Sequence, residues 1–272
     1  MIRSLQSFRF IFAIQIFLHH SAVNFQAGGS CGVSFFMILS GFVMTAGYAQ
    51  KVTEPVFNYK SFLLNRLFRL YPLHLLCLFV FIALQFSSLN YIGYFKLVPN
   101  LLLLQSWIPG MNYYFSGNAV SWCLSDMIFF YAMFPLLIRG YQKLNNKLLI
   151  WTLLSLGAFY FIILFSIPES YVHRILYISP LFRLLDFIIG ILLYQLFLYF
   201  QKSGIEEKIG HWSFSRKTGI ELLSVLLMAL LLLLFPYVSE RFICASYYWI
   251  PISFLIMVFA LFNKTGGVFL VF

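Results

Sequence analysis

FIFAIQIFLHHSAVNFQAGGSCGVSFFMILSGFVMTAGYAQ, Phe10 to Gln50, contains no Lys, Arg, Asp or Glu. A membrane helix needs about 20 apolar residues to cross a hydrocarbon core of about 30 Å. This stretch therefore holds two such helices, with the Gly-rich turn NFQAGGS between them. Leu70–Phe95, Leu97–Ser125, Leu148–Pro168, Leu222–Ser239 and Phe242–Asn263 are uncharged in the same way. Across 272 residues, 62% are hydrophobic and 10% charged, and the mean hydropathy is +0.90. A soluble domain carries about 25% charged residues. A membrane barrel repeats alternating segments of about ten residues, and that alternation is not found here. The pattern specifies an all-α, polytopic transmembrane helical bundle.

The net charge of +10 does not signal a nucleic-acid partner. Its basic residues lie mostly in short connections between apolar runs, as the positive-inside rule expects. Cys31, Cys77, Cys123 and Cys244 form no CxxC and no cluster with histidine, so no metal site is expected and each reads as a buried packing residue. The first apolar run lacks a small-residue cleavage site and reads as a retained helix.

Spans are expected near 5–22, 30–50, 70–88, 120–138, 148–167, 176–200, 219–238 and 246–262, within one membrane domain over 1–272. The connection after the second span carries Lys51, Lys60, Arg66 and Arg69, which places it, and with it the amino terminus, in the cytoplasm. Residues 91–107, YIGYFKLVPNLLLLQSW, are harder to place. Counted as a span, they would put Arg139, Lys143 and Lys147 outside. Pro99, Asn100 and the short apolar core Leu101–Leu104 favour a re-entrant or interfacial piece. That choice gives about eight spans with both ends cytoplasmic. The chain closes on LFNKTGGVFLVF, the opening of what reads as a further apolar run.

Ionisable residues inside a membrane are costly and mark function or a specific partner. Arg9 and His20 are eleven steps apart, which at 100° per residue returns to within about 20° of one helix face over a rise of about 16 Å. His19 is rotated by roughly 80° from that line. In GVSFFMILSGF, Gly32, Ser40 and Gly41 are small enough to admit another backbone, through packing or a direct role. In NRLFRLYP, ending at Pro72, Arg66 and Arg69 are three apart and adjacent on one helical face. Paired guanidinium groups suit phosphate; lipid headgroups and ordinary positive-inside charge are the competing reading. Asp126 is the acid of SWCLSDMIFFYAMFP, expected in the outer leaflet at a depth similar to His20, with Trp122 one turn away as an interfacial anchor. Arg183 and Asp186 read as a mutually neutralising pair, and His74, His173 and His211 as structural or solvated.

Taken in order, RFIFAIQIFLHH, GVSFFMILSGF, RLFRLYP, SWCLSDMIFFYAMFP and FRLLDFIIGILLY resemble the bacterial membrane-bound acyltransferase-3 family over most of the chain. Members of that family are ten-helix proteins that move an acyl group, usually acetyl, from cytoplasmic acyl-CoA to a hydroxyl of an envelope or exported glycan. The resemblance implies catalysis at His20 with Arg9, and donor handling by Arg66 and Arg69. It implies acetyl-CoA as a co-substrate with no permanently bound cofactor, a glycan or lipid-linked saccharide acceptor, and a multi-pass place in the bacterial inner membrane. Two departures stand out. The family carries Glu where Asp126 stands, in a pattern like W-S-L-x-x-E, and Cys123 replaces its Ser. Its last two helices are missing, so the chain reads as truncated at its C-terminus.

Acyl transfer to a hydroxyl needs a base to take the proton, and His20 near the outer surface meets that need. Asp126 would orient the imidazole or share its proton. Arg9, deeper on the same face, would bind donor phosphate or polarise the thioester carbonyl. The alternative is a transporter or a lipid or glycan flippase using Arg9, His20 and Asp126 as a pathway. Transporters commonly show repeated halves and matched broken helices, and neither is legible here.

Overall fold

A computed structural model describes residues 3–21, 23, 25–85 and 91–263, and every regular element among them is helical. The α-helices are α1 Arg3–His20, α2 Gln26–Thr53, α3 Tyr59–Gln85, α4 Tyr91–Leu101, α5 Met111–Tyr114, α6 Trp122–Lys143, α7 Asn146–Ser166, α8 Glu169–Val172, α9 Pro180–Lys202, α10 Ile205–Gly210, α11 Phe214–Leu234, α12 Glu240–Ile243 and α13 Trp249–Leu261. Ala22, residues 86–88 of the third expected span and the apolar run after Asn263 lie outside the described residues.

Among the described residues, six helices are long and apolar enough to cross a membrane: Gln26–Thr53, Tyr59–Gln85, Ala119–Lys143, Lys147–Ser166, Pro180–Lys202 and Phe214–Tyr237. The other two expected spans differ for separate reasons. α1 has 18 residues, but Arg3, Gln6, Ser7 and Arg9 make its first half polar. α13 is strongly apolar, but its 13 residues rise only about 20 Å, short of a core of about 30 Å. Local chemistry sets several ends. Asn145 caps α7 by accepting from Leu148 N, and Ser213 caps α11 by accepting from Arg216 N. Pro180 opens α9, where its missing N–H costs nothing.

The chain divides into two compact units, Met1–Gly47 with Leu185–Phe272, and Tyr48–Leu184, with boundaries inside α2 and α9. In the first unit α13 is central. Ile252 and Leu255–Phe262 are all buried, as befits a helix that is apolar on every side. They share a core with Phe12 of α1, Phe35, Ile38 and Phe42 of α2, and Met228 and Leu231 of α11. Gly32 lets α1 approach, since a Cβ there would lie 2.5 Å from Ile16 and 3.2 Å from Phe12 O. Gly41 of α2 and Gly190 of α9 meet backbone to backbone, a Cβ on Gly41 falling 3.1 Å from Gly190 Cα. Gly32 and Gly41 thus both stand at close helix approaches, whereas Ser40 is only half-buried.

In the second unit α3 is inside-out. It buries Phe62, Arg66, His74 and Leu78, while Leu73, Leu76, Phe79 and Val80 face outward, and Pro72 is exposed. Residues 91–107 do not form one spanning helix. α4 has 11 residues, a rise of about 16 Å, and the backbone then turns through Leu103 at φ 54°. Irregular backbone at membrane depth must find polar partners inside the protein. The Tyr71 hydroxyl donates to Leu101 O, and His74 Nε2 lies 3.0 Å from Asn100 O. Asn100 Nδ2 donates to Ser116 O at 2.6 Å and Gln105 Nε2 to Ser121 O at 3.0 Å. These bonds give buried His74 a structural role and hold the returning segment between α3 and α6.

Candidate active site

Arg9 lies on the polar half of α1 and lines a cavity of about 360 Å³ in the first unit. The polar wall consists of Gln6, Arg9, Gln201, Glu206 and Asn263; Phe42, Phe197 and Ala260 are among the apolar lining residues. Arg9 turns back one turn toward the N-terminus, where Nη1 donates to Gln6 Oε1 at 3.3 Å. That follows from helical geometry, in which side chains lean toward the N-terminus. Its guanidinium therefore points away from the His20 end of α1. Gln6 had a signal in sequence, three positions before Arg9. Gln201, Glu206 and Asn263 had none, because they come from distant segments.

At the far end of α1 the two histidines are unlike. His19 is tied down: Nδ1 lies 3.3 Å from Phe25 O, and a Cβ on Gly29 would come within 2.6 Å of its ring. His20 is exposed, its ring 4.7 Å from that of His19 and nearly perpendicular to it. His20 does not line the cavity that holds Arg9. The shared helix face does not gather them into one pocket.

Asp126 belongs to the second unit and is fully buried in the first turns of α6. Its neighbour Ser125 accepts a hydrogen bond from Ser106 Oγ at 2.7 Å, which fixes the returning segment against this part of α6. Trp122, expected as an interfacial anchor, is instead buried, with its ring 5.0 Å from Tyr177. Tyr177 lies in a π-helix, His173–Ile178, a rare form that recurs at functional sites. Rings of Tyr114, Phe115 and Tyr177 surround His173 at 5.1–6.4 Å. Arg183 is buried over Tyr177 at 5.4 Å, and in the first unit Asp186 accepts the Trp249 indole N–H. Of the cysteines, Cys31 and Cys244 are buried, but Cys77 and Cys123 are only partly so. Residues three apart on a helix differ by about 60°, and this separates Arg66 from Arg69: the first is buried, the second exposed.

Among the described residues, no group of three or more His, Cys, Asp or Glu is placed to hold a metal ion. Long apolar helices, a broken 91–107 segment and a polar cavity at a half-buried arginine define a multi-pass helical membrane protein. The chain belongs to the acyltransferase-3 family, whose acyltransferase-domain model matches residues 2–270. It is also similar to the acyltransferase MdmB of Streptomyces mycarofaciens, 33% identical over 135 residues. That match takes in 48% of this chain and 34% of MdmB, about a third of the relative's length. No solved structure matches the chain.

Proposed function

We propose that this protein is an integral-membrane O-acyltransferase that moves an acyl group, acetyl in the first instance, from cytoplasmic acyl-CoA to a hydroxyl of an envelope or exported polysaccharide. The observation that carries the reading is Arg9 in a polar cavity within a chain of the acyltransferase-3 family. Family membership is also what sets the transporter or flippase alternative aside. Ligand pockets run to about 300–1,000 Å³, so a cavity of about 360 Å³ suits one arm of the donor and not all of it. Because Arg9 turns toward Gln6, donor binding is its better role, ahead of polarising a carbonyl beside His20. In the reaction the His20 imidazole takes the acceptor hydroxyl proton as that oxygen adds to the thioester carbonyl carbon. Collapse of the tetrahedral adduct breaks the carbon–sulfur bond and expels the CoA thiolate, which takes up the proton.

The orientation that suits this scheme has the amino terminus and the 51–69, 139–147 and 201–218 connections in the cytoplasm, in a bacterial inner membrane. A single cysteine placed at Lys143 should resist a membrane-impermeant thiol reagent applied from outside. Labelling there would reverse the assignment. The reaction is tested by incubating membranes with labelled acetyl-CoA and recovering the glycan. Label should enter it only when the protein is present; equal label without the protein would remove the reading.

Two substitutions test the donor roles. Arg9→Gln should raise the Michaelis constant for acyl-CoA more than it lowers turnover at saturation, as loss of a binding contact does. Arg69→Gln should also raise that constant several-fold at normal membrane levels, since the position is exposed. A change in membrane abundance alone would assign Arg69 to lipid headgroups.

A further inference from the structure

The cavity at Arg9 holds a second charged residue that the acyl-transfer scheme leaves idle. Among the described residues that line it, Arg9 is the one base and Glu206 the one acid. The rest of the polar wall is side-chain amide, from Gln6, Gln201 and Asn263. Gln201 and Glu206 stand on either side of the turn from α9 into α10, where Gly204 takes the left-handed conformation at φ 72°. α10 is anchored. Its Ile209 is buried in the core shared with α11 and α13. Buried Lys217 of α11 donates through Nζ to Gly210 O at 2.9 Å, at a helix end whose last carbonyls need such donors. Just beyond, the Trp212 ring lies 4.0 Å from the Arg216 guanidinium carbon and 6.3 Å from the ring of Phe262, the neighbour of Asn263. Half-buried Glu206 is therefore presented to the cavity by a fixed element.

An arginine standing without an acid in a half-buried cavity would take any phosphate that reached it, because a guanidinium grips phosphate bidentately. A carboxylate facing the same space removes that preference. The two charges cancel, and an entering anion meets a like charge, the repulsive element by which a site refuses a wrong ligand. What remains is a neutral wall of amide donors and acceptors. Such a wall suits groups that are polar and uncharged, amides and hydroxyls above all. In the proposed orientation the 201–218 connection is cytoplasmic, so the cavity lies on the side where phosphate esters abound and their exclusion matters.

We propose that Glu206 is a specificity-determining residue of the Arg9 cavity, whose carboxylate opposes Arg9 so that the cavity admits an uncharged amide- or hydroxyl-bearing arm and excludes phosphate. Arg9 then donates hydrogen bonds to a neutral group and does not clamp a phosphate, the other use expected of it from sequence. This rests on the cavity being a ligand site of the transferase, and its test has a readout that needs no turnover.

The protein is reconstituted into nanodiscs of neutral lipid, and binding of inorganic pyrophosphate is measured by calorimetry. Glu206→Gln should bind it at least about tenfold more tightly than wild type, a modest share of what a juxtaposed like charge costs. Glu206→Asp, which keeps the charge, should go on excluding it. Glu207→Gln removes the same charge from an exposed position one residue away and should change nothing. Adding Arg9→Gln to Glu206→Gln should abolish the gain. Adding Gln201→Glu instead, which returns a carboxylate from the other side of the turn, should restore exclusion. Gln201→Lys makes the wall net positive with Glu206 in place and should admit pyrophosphate in the same way; no gain there overturns the proposal even where Glu206→Gln fails to accumulate. The proposal is also wrong if Glu206→Gln binds pyrophosphate no better than wild type, if Glu207→Gln gains as much, or if the gain survives loss of Arg9. If the gain depends on Arg9 but the bound pyrophosphate does not compete with acetyl-CoA in transfer, Glu206 keeps its role and the placing of the donor in this cavity falls.

Discussion

His20→Ala is expected to lose at least about 10²-fold of acyl transfer, the lower end of the ~10²–10⁴-fold that a positioned general base supplies. His19→Ala should cost far less. The two imidazoles are neighbours in sequence, but their surroundings assign them different work. His19 has one ring nitrogen at Phe25 O and its ring against Gly29, so it pins the connection between α1 and α2. With Nδ1 at the Phe25 carbonyl and Nε2 packed close to Gly29, where a Cβ would lie 2.8 Å away, neither ring nitrogen of His19 is open to a proton from an incoming hydroxyl. His20 is exposed at the end of α1, which is where an acceptor would find it if the amino terminus is cytoplasmic. Both variants are assayed in membranes with labelled acetyl-CoA, with abundance matched by immunoblot. Equal losses would mean that either imidazole serves, and a larger loss at His19 would defeat the assignment. His19→Asn gives a further check: its amide can still reach the Phe25 carbonyl, so it should recover whatever His19→Ala loses.

The fold class was open to reading because burial in lipid leaves a coarse signature. Charge-free runs such as Phe10–Gln50 admit few structures other than paired helices. That 91–107 is not one long helix was also legible, since Pro99 and Asn100 interrupt an apolar core too short to span. What stayed hidden depends on which way a side chain faces. Arg66 and Arg69 look equivalent by spacing, yet a rotation of about 60° leaves one under Tyr48 and Phe62 and the other exposed. Trp122 matches the composition of a membrane interface, but Tyr177 from a distant segment covers it. The cavity at Arg9 could not be assembled beforehand, because Gln201, Glu206 and Asn263 reach it only through the return of α9, α10 and α13. Periodicity reports faces of one helix and is silent on which helices meet.

Gly190→Leu is expected to abolish accumulation of folded protein, and Gly190→Ala to lower its thermal stability by at least several degrees. The motif FRLLDFIIGILLY contains Gly190, but only the structure shows what it touches. A Cβ built there would strike the carbonyl of Ile38, lying 2.9 Å from Ile38 C and 2.8 Å from Phe42 N. The reciprocal position is as tight, since a Cβ on Gly41 would strike Phe187 O and stand 3.0 Å from Phe187 C. Each obstacle is backbone, which has no rotamer to change, so α2 and α9 would have to separate. In lipid, helix association leans on close van der Waals packing and not on the hydrophobic effect. Lost contact at such a crossing is therefore not recovered by burying apolar surface elsewhere. Overpacking costs typically about 1–3 kcal/mol, and 1 kcal/mol shifts a melting midpoint by roughly 2–4 °C in a protein of 150–250 residues. Gly41→Ala should behave like Gly190→Ala. Gly47→Ala on the same helix should be silent or mildly stabilising, because nothing lies within 4 Å of a Cβ there, and alanine is favoured over glycine in a helix by roughly 1 kcal/mol. The measurement is the temperature at which the detergent-solubilised protein loses its monodisperse chromatographic peak. If Gly41→Ala and Gly190→Ala both match wild type, the close crossing of α2 and α9 is wrong. If Gly47→Ala falls as far as they do, glycine is needed along α2 for some reason other than contact with α9.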